Sequence, residues 1–145
     1  MNILVTGGAG YIGSHTCVLL LEAGYTVTVI DNLCNSSPIA LGRVQELTGK
    51  PLRFVQGDIR SRPDLDRAFE GGVDAVIHFA ALKAVGESCE QPLRYFDNNI
   101  CGTVSLMRAI EAHRVQNLVF SSSATVYGHP DSVPVKEDAP LRVTN

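Results

Sequence analysis

The segment Thr6-Gly7-Gly8-Ala9-Gly10-Tyr11-Ile12-Gly13-Ser14-His15 constrains the fold of this chain more than any other. It follows the apolar run Ile3-Leu4-Val5 and opens a stretch with helical periodicity. Gly7, Gly10 and Gly13 give a G-x-x-G-x-x-G spacing, and Gly8, Gly10 and Gly13 also satisfy G-x-G-x-x-G. A strand, a tight glycine turn and a helix N-terminus together form a pocket for a diphosphate. Missing side chains let the ligand approach the backbone, and unpaired N–H groups at the positive end of the helix dipole face it. A glycine triplet alone is a weak signal. The strand, the helix and a correctly spaced acidic residue make it a dinucleotide-binding signature.

That acidic residue is Asp31, which closes the second apolar run Val27-Thr28-Val29-Ile30. A carboxylate there accepts hydrogen bonds from the adenosine ribose hydroxyls, each contributing roughly 1.5–3 kcal/mol. It would also repel a 2′-phosphate, and the next residues, Asn32, Leu33 and Cys34, bring no cation. NAD is therefore expected over NADP. A turn-initiating Asp-Asn pair is the alternative that needs no ligand.

The net charge of −3 has no basic stripe behind it and argues against nucleic acid or an anionic membrane as partner. The longest apolar runs are strand-sized, so no membrane-spanning helix is expected. The first strand starts at Asn2, which leaves no room for a signal peptide. Cys17, Cys34, Cys89 and Cys101 lack C-x-x-C or zinc spacing, and the histidines show no ligand spacing. The expectation is a cytoplasmic protein with no metal.

Strand and helix signals alternate along the chain. Strands are expected at 2–6, 26–30, 52–56, 75–79 and 117–121. The first helix runs from Gly10 to Ala23, burying Ile12, Val18, Leu19 and Leu21 or their neighbours, and stops at Gly24. Helices follow at 39–48 and from Pro63 to Phe69, then a loop from Ala80 to Glu90. A long helix enters at Pro92, and its apolar positions Leu93, Phe96, Ile100, Val104, Met107 and Ile110 read as a buried face. From Gly128 the chain reads as loop. The pattern predicts an α/β doubly wound parallel sheet, Rossmann-like but incomplete, with about five strands visible and the fifth at risk of being a bare edge. The polar candidates all fall at carboxyl ends of strands, where such sheets bind ligands.

Further stretches carry a resemblance: Asp31-Asn32-Leu33-Cys34-Asn35-Ser36, the run from His78 through Lys83 to Ser88, and Ser121-Ser122-Ser123-Ala124-Thr125-Val126-Tyr127-Gly128. With the opening glycine segment they resemble the amino-terminal portion of the UDP-glucose 4-epimerase family, within the extended short-chain dehydrogenase/reductases. The resemblance covers the whole chain but less than half of a full epimerase. It implies that Tyr11 and Ile12 lie over the diphosphate and that Asp31 to Ser36 surround the adenosine. Asp58 and Ile59 would frame the adenine, Phe79, Ala80, Ala81, Leu82 and Lys83 would pass beside the ribose units, and Asn98 would add an amide contact. Ser123 would hydrogen-bond the sugar 4-hydroxyl. The alternatives are a turn cap at Asp58, a solvated cation at Lys83, a backbone contact at Asn98 and a plain loop hydroxyl at Ser123.

The chemistry implied is redox-neutral. NAD takes a hydride from sugar C4, the 4-keto sugar turns over, and the hydride returns to its other face. The base in that family is a Tyr whose pKa is lowered by a Lys four residues on. The four tyrosines here are followed at that distance by His15, Val29, Asn99 and Asp131. The resemblance therefore implies an NAD-binding domain over 1–145 that stops before the Tyr-x-x-x-Lys motif and the substrate domain. The UDP-sugar would be engaged only with that missing part, and a homodimer is implied only for the full-length form. A non-catalytic NAD-binding module, or a related sugar-nucleotide dehydratase or uronate epimerase, are the competing readings.

Overall fold

The structure is a computed structural model that describes residues 1–142, the side chain of Ala124 excepted. Five strands form one parallel sheet: β1 (Asn2–Thr6), β2 (Thr26–Asp31), β3 (Arg53–Gln56), β4 (Ala75–His78) and β5 (Asn117–Phe120). Their order is β3-β2-β1-β4-β5. The chain thus winds outward from β1 in one direction, then returns and winds outward in the other. The reversal lies between β1 and β4, where Leu4 stands opposite Val76 and Thr6 opposite His78. A switch of this kind opens a crevice at the carboxyl ends of the strands.

The period-two alternation of the strands sorts their side chains into two cores. Leu4, Ile30 and Val76 point to one face, where they pack with Leu65, Phe69, Leu106 and Ile110. Ile3, Val5, Val27 and Val29 point to the other, against Cys17, Leu21, Leu41 and Val44. Helices α1 (Tyr11–Glu22) and α2 (Pro38–Thr48) cover the second face, while α3 (Arg62–Phe69) and α6 (Gly102–Ala112) cover the first. The helix ends are chemically specified. Ser37 and Ser61 accept the Ile39 and Asp64 amides as N-caps, proline follows each cap within the first turn, and Gly49 closes α2 in the left-handed conformation.

Three expectations need correction. In α1 the buried positions are Gly13, Cys17 and Leu21, one per turn, whereas Ile12 and Leu19 are exposed. The stretch from Ala80 to Glu90 is not all loop: Val85–Glu90 forms a short helix, α4. The long helix is not one α-helix. A turn of α-helix, α5 (Pro92–Tyr95), runs into a π-helical segment (Phe96–Cys101) and then into α6. Of its expected apolar face only Ile110 is buried; Leu93 is 81% exposed, Phe96 57% and Ile100 54%, and Val104 and Met107 are exposed too. The side turned to the sheet carries Asn98, Gly102, Leu106, Ala109 and Ile110. Periodicity finds a face but not its cover. The π turn also adds a residue to the cycle and shifts the phase.

Strand β5 is the sheet edge, with Val119 and Phe120 exposed. Among the described residues no helix is long and apolar enough to cross a membrane.

Candidate functional site

The carboxyl ends of β1, β2, β3 and β4 converge on a crevice of about 280 Å³. Its rim begins at Gly7, whose amide donates to the Ile30 carbonyl at 2.9 Å. Gly7 has φ +70°, and a Cβ there would stand 2.7 Å from the Ala80 nitrogen. At Gly13 a Cβ would run into the Gly7 carbonyl and lie 2.7 Å from the Gly8 Cα. The first turn of α1 therefore packs directly on the glycine turn. Gly10 caps α1 with no side-chain bond, and no acidic residue sits in its first turn. The leading amides of α1, at Tyr11, Ile12 and Gly13, are left for an anion, and all three residues line the crevice.

Asp31 forms the next part of the wall and is 7% exposed. Its Oδ2 accepts the Ala9 amide at 3.0 Å, and its Oδ1 accepts the Leu33 amide at 2.9 Å and the Ser36 hydroxyl at 2.7 Å. A carboxylate offers about four acceptor sites, so one remains, on Oδ2. Asp31 ties β2 to the glycine turn and still presents one acceptor to the crevice. The Asp31–Leu33 bond also holds Leu33 at φ +60°, a conformation that costs a non-glycine residue about 1–2 kcal/mol.

Most of the residues singled out from sequence come together here. Gly7, Gly10, Asn32, Cys34, Asn35, Ile59, Asn98 and the run Phe79 to Lys83 line the crevice beside those already named. Leu33, Ser36 and Asp58 do not. Leu33 and Ser36 bond to Asp31 from behind the wall, and Asp58 turns to Arg60. Ile30 and Gly57 line it without having been singled out. Ser123 faces a second, larger cavity of about 600 Å³ that shares the wall Ile12 and Phe79 to Lys83. There its Oγ caps the short 3-10 helix Ala124–Tyr127, accepting the Thr125 amide at 3.3 Å.

A hydrogen-bond chain behind this shared wall escaped the sequence reading. The Ala80 amide donates to the Thr6 hydroxyl, which donates to His78 Nδ1 at 2.6 Å. His78 Nε2 donates to the Thr103 hydroxyl at 3.0 Å, and that hydroxyl donates to the Asn99 carbonyl at 2.6 Å. The side chain of Asn99 then brackets Leu82, accepting its amide and donating to its carbonyl, both at 2.9 Å. The only hint in the sequence is the pair Asn98-Asn99 inside a helix, where asparagine is a poor former.

His78 is 3% exposed, and burial pushes its pKa down from 6.5 to about 4. The geometry agrees, because a proton on Nδ1 would leave the Thr6 hydroxyl with two donors and nowhere to give its own. The unfolded chain takes up this proton first, so the stabilisation is complete above pH 6.5 and is lost as pH falls towards 4. Denaturant titrations at pH 7.5 and about pH 4 should differ by on the order of 3 kcal/mol from this group. In His78→Gln that component of the slope should vanish; an unchanged pH profile would contradict the assignment.

The parallel order β3-β2-β1-β4-β5 and the glycine-rimmed crevice define a Rossmann-like α/β unit. The chain belongs to the NAD dependent epimerase/dehydratase family, whose profile it matches over residues 3–145. It is 58% identical to the UDP-glucose 4-epimerase of Dictyostelium discoideum, over 99% of this chain and 42% of that protein. Against the Bacillus subtilis UDP-glucose 4-epimerase it is also 58% identical, over 100% of this chain and 43% of that protein. Among solved structures it is similar to the Bifidobacterium longum UDP-glucose 4-epimerase in complex with NAD+ and UDP. There the TM-score is 0.94 and the identity 49%, covering 98% of this chain and 43% of that one. The Stenotrophomonas maltophila UDP-glucose-4-epimerase, with bound NAD and formylated UDP-arabinopyranose, gives TM-score 0.93 and 53% identity over 98% of this chain and 43% of that one. The chain therefore spans about two-fifths of the length of the relatives it matches.

Proposed function

We propose that this chain is the NAD-binding part, over 1–145, of a UDP-glucose 4-epimerase, which interconverts UDP-glucose and UDP-galactose through a 4-keto sugar. One observation carries the reading: the crevice joins a turn that excludes any Cβ at Gly13 to an Asp31 carboxylate with one open acceptor. That is the shape and chemistry a diphosphate and a ribose hydroxyl require. When bound, NAD supplies the hydride acceptance and return at sugar C4.

The chain's own residues bind and orient. Backbone amides of Tyr11 and Ile12 take the diphosphate, Asn32, Cys34 and Asn35 flank the adenosine, and Phe79 to Lys83 run beside the ribose units. Asn98 closes the wall with its amide. In the second cavity the Ser123 hydroxyl hydrogen-bonds the sugar 4-hydroxyl while its proton moves; its exposure and its place on that wall support the role. The partner is a UDP-sugar, engaged only with sequence beyond these residues, and nucleic acid is not one. The outward stripe Leu93, Phe96, Ile100, Val104 and Met107 supports a homodimer in the full-length form, since such a face is costly to leave in water. Exposed, unpaired Cys34, Cys89 and Cys101 support a reducing cytoplasmic setting.

No tyrosine in the chain has a lysine four residues on. With UDP-galactose in a coupled assay, these 145 residues alone should therefore be slower than a complete epimerase by at least two to four orders of magnitude, roughly what a general base contributes. Turnover within about tenfold of a complete epimerase would overturn the assignment of roles.

A further inference from the structure

Asp58 lies just beyond β3, between Gly57 and Ile59, both of which line the crevice. Its carboxylate is gripped by Arg60: Nε bonds Oδ1 at 2.9 Å and Nη2 bonds Oδ2 at 2.7 Å. The Arg60 amide adds a third bond to Oδ1 at 2.8 Å, and Asn32 Nδ2 reaches Oδ2 at 3.0 Å. With about four acceptor sites on a carboxylate, Asp58 is full. The contact from Asn32 is the longest of the four, and Asn32 is itself on the crevice wall. It is the one an incoming N–H donor can share or displace.

The other end of the same guanidinium crosses to the π-helical segment, where Nη1 meets Asp97 Oδ2 at 2.5 Å. Asp97 precedes Asn98, which is buried and lines the crevice. Behind this strut Gly102 brings the helix onto Ile59 and the Arg60 stem, close enough that a Cβ there would stand 2.8 Å from Ile59 Cδ1. One side chain thus joins the floor of the crevice to its far wall. Arg60 also holds the Asp58 carboxyl far below the usual carboxylate range. The pair is 39% and 23% exposed, and an exposed single-point pair would count for little. The planar fork sets this one apart, because two parallel bonds fix the carboxylate plane.

We propose that Arg60 is a positioning residue for the nucleobase, holding the Asp58 carboxylate where the base edge is read, next to Ile59 on the crevice wall. The inference rests on the dinucleotide reading of the crevice. A fixed carboxylate at a base edge selects chemically. It accepts from the exocyclic amine of adenine and repels the carbonyl that hypoxanthine presents at the same position. Without the guanidinium, Asp58 keeps only the Asn32 and backbone contacts, and its plane is free to turn.

The test compares NAD+ with nicotinamide hypoxanthine dinucleotide, titrated by calorimetry into the intact protein and its Arg60→Met and Arg60→Lys variants. Lysine keeps the charge but cannot form the fork, so it should resemble methionine rather than rescue it. Both variants should lose about tenfold or more in NAD+ affinity and less than about threefold for the hypoxanthine analogue, so that the preference for adenine collapses. NAD+ affinity within about twofold of the parent, or equal weakening of both dinucleotides as general loosening would give, overturns the role of Arg60. Failure of the parent to bind NAD+ overturns the dinucleotide reading itself, and this inference with it.

Discussion

Gly13→Ala should remove dinucleotide binding, lowering NAD+ affinity by at least about a hundredfold, because one methyl group has nowhere to go. The new Cβ would overlap the Gly7 carbonyl and crowd the Gly8 Cα, and both are backbone that cannot swing aside. Gly7 is itself pinned, by its bond to the Ile30 carbonyl and by Ala80. Relief must come from pushing α1 away from the turn, which withdraws the amides that would hold the diphosphate. Overpacking of this kind costs about 1–3 kcal/mol in stability, so the variant should still fold. Gly42→Ala is the control: nothing lies within 4 Å of a Cβ there, so it should stabilise α2 by up to about 1 kcal/mol and leave binding alone. Thermal melts with and without NAD+ separate the two cases. Equal ligand-induced shifts in Gly13→Ala and parent would contradict the account.

Asp31→Ala should be the most damaging single change at the ribose end. It orphans the Ala9 and Leu33 amides and the Ser36 hydroxyl, which together should cost on the order of 2–4 kcal/mol of stability. NAD+ affinity should fall by about tenfold or more. The preference for NAD+ over NADP+ should shrink as well, since the charge that repels a 2′-phosphate has gone. Asparagine should not rescue it. Whichever way its amide points, the NH2 group meets an N–H or O–H donor that Asp31 now accepts. A variant that matched the parent in both stability and cofactor preference would remove Asp31 from the site.

Those two residues were legible because each follows from a rule that is local in sequence. A strand, a glycine triplet and an acid after the next strand specify a turn, a helix start and an acceptor with no need to know the rest of the fold. The sheet was legible for a related reason, as its strands are short apolar runs between glycine and proline stops. What stayed hidden depends on partners distant in the chain. The stripe Leu93, Phe96, Ile100, Val104, Met107 and Ile110 has the period of a buried face, yet only Ile110 reaches the sheet, beside Leu106 and Ala109 of the neighbouring side. No period states which neighbour a face will meet. Asn99 reads as a poor helix former until the π-helical segment sets it against the Leu82 backbone. Nothing local in the sequence marks Arg60, because its partners Asp58 and Asp97 come from two separate elements. The sequence suggests Asp58 beside the base, but not that its carboxylate plane is set by Arg60, two residues on.

Calorimetric titration of NAD+ into the folded parent chain, with Asp31→Ala alongside, asks whether the glycine turn and Asp31 together hold a dinucleotide. The parent should give a saturable one-to-one isotherm and the variant at least about a tenfold weaker one. A cooperatively folded parent that gives no heat and no rise in melting temperature at saturating NAD+ would contradict that binding role.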